Sequence, residues 1–404
     1  MCGVYLDMRL HLAALFLCCV GKAQSPIAVI PCEVHANGIY VRTSVNGSRP
    51  VQFQLDTAAA VHIINWTQAQ RLNLPFPPSI GTANGGGDGS TSAALMQDVR
   101  LRIGDFELPA DPVYAVPMDP IAARKGYALD GLIGASLLKR YVVEHDTGPC
   151  SLRLYDPATW TYSGRGATVP VKADRFGVPR ITVGLNFAGQ PPLSGEFIID
   201  SGAAEATLTL SSPFVQKHGL LEAARRAGER SIQDQMMGVG GTSAMWITRV
   251  ASVSLAGASF PRPVITLTEA RGGTLAKSDI AGTIGGELLH RFRVTYDISR
   301  NRLFLEPSAR LTAPFEADMS GLRWSASGGS FRDFSVRTVF SGSPAANAGV
   351  LAGDRLLEID GRPSGSFDIE SLRLHLRRAG QKVRLKLQRA DRQFIIEILL
   401  TRMV

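Results

Sequence analysis

The sequence predicts a mainly β chain: two related β lobes followed by a smaller third module. Three observations lead there. Short apolar runs alternate with Gly/Pro punctuation along most of the 404 residues, the pattern of strands joined by turns. Landmarks of the first half return in the same order in the second at an offset of about 150 residues, the mark of two copies of one unit. After residue 306 a different set of turn and helix signals begins.

The N-terminus reads as a targeting segment. Arg9 precedes an apolar run, 12–20, too short to span a bilayer, and Gly21-Lys22-Ala23 offers a small-x-small cleavage site. Residues 1–23 are therefore expected to be a signal peptide, with Met8 as an alternative start. The mature chain is expected to be exported, periplasmic or extracellular, with no integral span. Cys18 and Cys19 leave with the peptide. Cys32 and Cys150 remain, an even count that suits either one disulfide in an oxidising compartment or two buried thiols.

The first lobe, 24–165, opens at Ile30-Pro31-Cys32, turns at Gly38 and runs through a strand pair to Leu55-Asp56-Thr57-Ala58. Downstream come Leu132-Ile133-Gly134 and a strand pair over 142–154 containing Asp146. Residues 156–166 form the connection. In the second lobe, 166–310, the counterparts are Val169-Pro170-Val171, Gly177, Ile199-Asp200-Ser201-Gly202, Thr283-Ile284-Gly285 and a strand pair over 294–305 containing Asp297. Helical periodicity occurs at 66–72, 136–141, 212–227 and 287–292. A linker over 306–320 leads to the third module, 316–404, with a strand at 336–340, a helix at 369–378 and strands at 383–389 and 394–400.

The chemistry lies in the two Asp strings. A carboxylate at the end of a buried strand is costly without a partner, and the cheapest partner for one such Asp is the other. Two facing carboxyls can share one proton and activate a water. With their supporting segments, these loops resemble the aspartic peptidases, in particular the single-chain bacterial relatives of retroviral proteases, over about residues 30–307. That resemblance implies two pseudo-symmetric retropepsin-like lobes with Asp56 and Asp200 as the catalytic pair. Thr57 and Ser201 would bond across the lobe interface, and the Gly134 and Gly285 segments would pack beneath the loops. Ala58 stands where the family has Gly, as at Gly202. If the backbone there needs positive φ, Ala strains the first loop.

Two glycine clusters, Gly85-Gly86-Gly87 and Gly238-Val239-Gly240-Gly241, each follow an Asp loop and are flanked by β-type residues. They are read as flap hairpins, with Gly86, Gly87, Gly240 and Gly241 at the tips. A phosphate cradle is excluded because no Lys-Ser/Thr and no helix follows the first cluster. Glu205 is read as solvated.

In the third module, Gly342-Ser343-Pro344-Ala345-Ala346 and Gly353-Asp354-Arg355-Leu356-Leu357-Glu358-Ile359-Asp360-Gly361 resemble a bacterial-type PDZ domain. Ser343 can cap the helix that Pro344 begins, and Asp360-Gly361 can close a hairpin. The resemblance implies peptide binding by strand addition, with Ser330, Phe331 and Phe334 as candidate contacts. The module is expected to be severable from the cleft.

The net charge of +8 is spread thinly, with a mild concentration from Arg373 to Arg389. It is read as solvated helix and strand faces. No aromatic-basic platform accompanies it, so nucleic-acid binding is excluded. The histidines beyond the expected signal peptide (His35, His62, His145, His218, His290, His375) show no zinc-ligand spacing, and no metal or cofactor is expected. The function expected is aspartic endopeptidase, with the PDZ domain recruiting or positioning polypeptide substrates. The alternative is an inactive peptidase-like binder or adaptor of the cell envelope.

Overall fold

The computed structural model describes residues 25–404. The expected signal peptide lies outside them. The chain is mainly β, arranged in several sheets, and no helix among the described residues is long and apolar enough to cross a membrane.

In the first half, Ala28–His35, Gly38–Val45 and Val51–Leu55 form an antiparallel meander. Val51–Leu55 then lies parallel to Gly131–Ile133, which pairs antiparallel with His62–Asn65, itself parallel to Val113–Val116. The second half uses the same pairing order. Pro179–Asn186 is antiparallel to Leu193–Ile199, which runs parallel to Gly282–Ile284. That strand pairs antiparallel with Leu208–Leu210, which runs parallel to Val264–Thr268. Parallel strands flanked on both sides are buried on both faces and need continuous apolar runs. Phe53, Leu55, Ile133, Phe197, Ile199 and Ile284 supply them, all with no exposed surface.

The halves are joined by Val142–Asp146, which pairs antiparallel with Phe292–Asp297 in a shared sheet, and one hydrophobic core runs through both. Cys32 and Cys150 form a disulfide that ties the first strand to the end of its lobe. The helical pattern over 212–227 is two helices, Ser212–Lys217 and Leu220–Arg226. They are separated by Gly219 at φ +56°, a left-handed residue that ends one helix and starts the next. Helix Asp119–Lys125 was not expected from periodicity.

The third module has its own six-stranded sheet and core, with Trp324, Phe334 and Leu372 buried. Ser343 caps helix Pro344–Asn347 by accepting from the Ala346 N–H at 3.1 Å. Asp360 and Gly361, at φ +50° and +78°, make the tight turn between Arg355–Ile359 and Arg362–Pro363.

The module, expected from the sequence to be severable, packs closely against the rest of the chain. Within 306–320, Phe315 is buried under the Arg291 guanidinium, 3.5 Å above its ring, and its carbonyl accepts from Arg249 Nη2 at 2.9 Å. Strand Leu322–Ser327 packs against helix Asp119–Lys125. Ile369 lies so close to Gly126 that a Cβ there would meet it at 2.6 Å. The Ala36 N–H donates to Glu370 at 2.8 Å.

Candidate active site

Each Asp sits at the first residue beyond a parallel-flanked strand, its N–H bonded to the neighbouring strand: Asp56 to the Ile133 carbonyl at 3.0 Å, Asp200 to that of Ile284 at 2.9 Å. The chain then folds back over its own carboxylate. Asp56 Oδ1 accepts from the Ala58 and Ala59 N–H groups at 3.0 and 3.1 Å. Asp200 Oδ1 accepts from the Ala203 N–H at 2.9 Å. Gly134 and Gly285 lie beneath these loops. A Cβ on Gly134 would meet the Val61 carbonyl oxygen at 2.2 Å, and one on Gly285 the Ala206 carbonyl oxygen at 2.3 Å. Under the first loop the Gly134 N–H donates to His62 Nδ1 at 3.1 Å. Burial pushes that imidazole down to about 4, keeping it neutral and able to accept.

Thr57 and Ser201 lock the loops to each other. Thr57 Oγ1 donates to the Ile199 carbonyl at 2.6 Å and accepts from the Ser201 N–H at 3.1 Å. Ser201 Oγ donates to the Leu55 carbonyl at 2.7 Å and accepts from the Thr57 N–H at 3.1 Å. Both side chains are buried, so each of these bonds is shielded from water.

Asp56 and Asp200 line one cavity of about 880 Å³, facing it while protein surrounds them on the other sides. Burial, then the Asp56 charge, pushes Asp200 up to about 7. Burial likewise raises Asp56. Because the Asp56 charge acts on Asp200, the two buried carboxyls titrate as a pair. Gly202 abuts the dyad: a Cβ there would lie 2.3 Å from Asp56 Oδ2. Neither Gly202 nor Ala58 has positive φ, so the sequence-based objection to Ala58 falls away. Its methyl packs with Ala135, Val178, Ile198 and Ile280.

The two glycine clusters meet each other above the cavity. The first lies between strands Gly81–Ala83 and Thr91–Met96, the second between Ile232–Gly238 and Gly241–Arg249. The Gly87 N–H donates to the Val239 carbonyl at 3.0 Å, and that of Gly89 to the Gly240 carbonyl at 2.9 Å. The contact is backbone on backbone: a Cβ on Gly87 would meet the Gly241 nitrogen at 2.4 Å. Asp88 Oδ1 accepts from Ser243 Oγ at 2.7 Å and from the Arg271 N–H at 3.0 Å.

Sequence reasoning missed Lys125. It ends helix Asp119–Lys125, lines the cavity and donates to the Gly202 carbonyl at 2.8 Å. Burial lowers its pKa against the pull of Glu205, Asp56 and Asp200. Glu205 is not simply solvated: it pairs with Arg373 of the third module. No spacing pattern announces these contacts, which join residues far apart in the chain.

The candidate peptide contacts of the third module do not form a groove. Residues 328–332 are the turn of the hairpin joining Leu322–Ser327 to Asp333–Val339. Ser330 is exposed on it, and Phe331, at φ +53°, packs towards the Tyr40 and Met118 cluster. Phe334 is wholly buried in the module's core and closed to a ligand. Leu322–Ser327 and Arg392–Leu399 are the two edge strands of the module's sheet, and Leu322, Arg323 and Trp324 of the first line the cavity that holds the two aspartates.

A family profile described as aspartyl protease matches residues 41–137, spanning Asp56, the first flap and Gly134, and one described as PDZ domain matches residues 335–389. The chain carries an aspartyl protease domain and a PDZ domain. No curated protein matches it. Among solved structures, soybean Basic 7S globulin is 12% identical, covers 71% of this chain and 96% of its own, and superposes with a TM-score of 0.38. A photosystem II D1 C-terminal processing protease is 23% identical over 24% of this chain, with a TM-score of 0.21, and the match spans 26% of that protease. The protease match stops before the second half. Asp200 enters the site through the repeated strand pairing and the Thr57–Ser201 lock.

Proposed function

We propose that the chain is an aspartic endopeptidase in which Asp56 and Asp200 activate a water molecule. The observation that carries this reading is the reciprocal Thr57–Ser201 lock, which holds both carboxylate loops at the floor of one cavity. With one proton on the pair, the ionised carboxylate takes a proton from water as the oxygen attacks a peptide carbonyl. The protonated carboxyl hydrogen-bonds to the developing oxyanion, and the proton taken from water passes to the amine nitrogen as the C–N bond breaks, which leaves one proton on the pair for the next cycle. The dyad's raised proton affinity supports this, because the pair retains one proton as the pH approaches neutrality. The flap backbones supply main-chain donors and acceptors for an extended substrate.

The PDZ domain, in this reading, positions substrate as part of the cleft wall. Export to an oxidising compartment fits the Cys32–Cys150 disulfide. The test is cleavage of an unbiased peptide library by the wild type and by Asp56→Asn and Asp200→Asn. The wild type should cut internal bonds and both variants should lose at least about 10³-fold in kcat/KM. Equal cleavage by wild type and variants sinks the dyad.

A further inference from the structure

Besides Arg180, which pairs with Asp279, five arginines line the cavity: Arg124 of the protease domain and Arg323, Arg337, Arg373 and Arg377 of the C-terminal module. Two have acidic partners. Arg323 Nε bonds Asp234 Oδ2 at 2.9 Å, and Arg373 pairs with Glu205 while donating to the Arg124 carbonyl at 3.0 Å. Among the described residues the other three form no ion pair. Arg124 donates to the Gln235 carbonyl at 3.0 Å, whereas Arg337 and Arg377 each have a buried Nε with no hydrogen-bond partner. Arg337 is partly buried and faces repulsion from Arg124, Arg323 and Arg373, with Asp234 the acid that offsets it. Buried guanidinium donors left unmade are costly, and carboxylate is the group whose geometry matches the fork.

We infer that this arginine wall is a binding site for a carboxylate of the polypeptide lying in the cleft, making the enzyme selective for acidic substrates. The inference rests on the peptidase reading and names its substrate class. The free edge of Leu322–Ser327 gives an extended chain main-chain partners beside the arginines, and Lys125, next to Arg124 in sequence, reaches the dyad loop at Gly202. A substrate can therefore engage the arginines and the dyad at once. The carboxylate comes from a Glu or Asp side chain near the scissile bond or from the chain's own C-terminus. The same contacts serve either source.

The experiment uses the full chain and peptide pairs that differ only in Glu against Gln on either side of the scissile bond, or in a free against an amidated C-terminus. The wild type should favour one carboxylate-bearing member by about tenfold or more in kcat/KM, the range of a charge-assisted hydrogen bond. Arg337→Gln with Arg377→Gln should reduce that ratio to near one, while Arg337→Lys with Arg377→Lys retains part of it. Because it is a ratio within each variant, a change in the amount of folded protein does not move it. Binding of the same labelled pairs to Asp200→Asn reads the site without catalysis. Acid-dependent binding without cleavage by the wild type would leave the site standing and remove the peptidase reading. Equal handling of both members of every pair, or a preference that survives the double Gln variant, overturns the inference.

Discussion

Replacing Gly202 by Ala puts a methyl against the chemistry. The added Cβ would lie 2.3 Å from Asp56 Oδ2 and 2.5 Å from Cγ, so the carboxylate or the loop must retreat by about 1 Å to reach ordinary contact, and a misplacement of that size can cost on the order of 10²-fold in rate. Retreat also stretches the bonds from Ala58 and Ala59, at 3.0 and 3.1 Å, each worth about 1.5–3 kcal/mol to a charged acceptor. Gly202→Ala should therefore lower kcat/KM by about 10²-fold or more, measured on a peptide the wild type cleaves, with circular dichroism checking that the fold persists. Ala58→Gly is the companion. Its φ is not positive, so glycine relieves nothing there, and loss of the packed methyl should cost roughly 1 kcal/mol of stability with activity within about twofold. If Gly202→Ala retains wild-type kcat/KM, the claim that this glycine is held by the Asp56 carboxylate is wrong.

Lys125→Met should move the basic limb of the kcat/KM pH profile upward, because a nearby cation favours the ionised form of both carboxyls and its removal lets the pair keep its proton to higher pH. An unmoved profile would refute the claim that the Lys125 charge acts on the titration of the pair. Cys32→Ser opens a loop of sequence separation 118, and should cost up to about 5 kcal/mol and roughly 10 °C in Tm, read by thermal melts with and without reductant. An unchanged melt would refute that contribution. Truncation after Pro307 removes Phe315 from beneath Arg291, together with the module's wall of the cleft. It should lower Tm and reduce cleavage of even short peptides about tenfold or more, and full activity in the truncated chain would restore the picture of a severable module.

Features that need a fixed local chemistry were legible in the sequence. The Asp-hydroxyl strings, the supporting glycines and the flap glycines repeat because each half must solve the same packing problem. The PDZ helix cap and hairpin turn are written in adjacent residues. Contacts formed across the fold were not legible. Lys125 closes a helix of only seven residues, too short for a periodic signal, and nothing near it in sequence says that Gly202 waits opposite. Arg373 is one cation among many on an amphipathic helix, and its partner Glu205 lies 168 residues away. At 328–334, Gly328-Gly329 stands where a ligand loop is expected, without the Gly-apolar-Gly-apolar form of one, and it fits a hairpin turn. The alternation that buries Phe334 and Val336 marks a strand, and strand residues on the core face cannot also meet a ligand.

The meeting of the two glycine-cluster tips bridges the halves of the chain across the cavity that holds Asp56 and Asp200. The latch is two main-chain bonds at Gly87 and Gly89 plus the Asp88 bonds to Ser243 and the Arg271 N–H, together about 2–6 kcal/mol at ordinary net values. Only about one molecule in 30 to one in 10⁴ would then stand open at a given moment, and apparent affinity is diluted by that fraction. Chains able to replace the latch bonds with their own backbone recover the loss as they enter, whereas folded proteins cannot present a bare strand. On the peptidase reading proposed above, the latch would sort substrates by conformation before any side chain is read, favouring unfolded or loosely held segments over native ones.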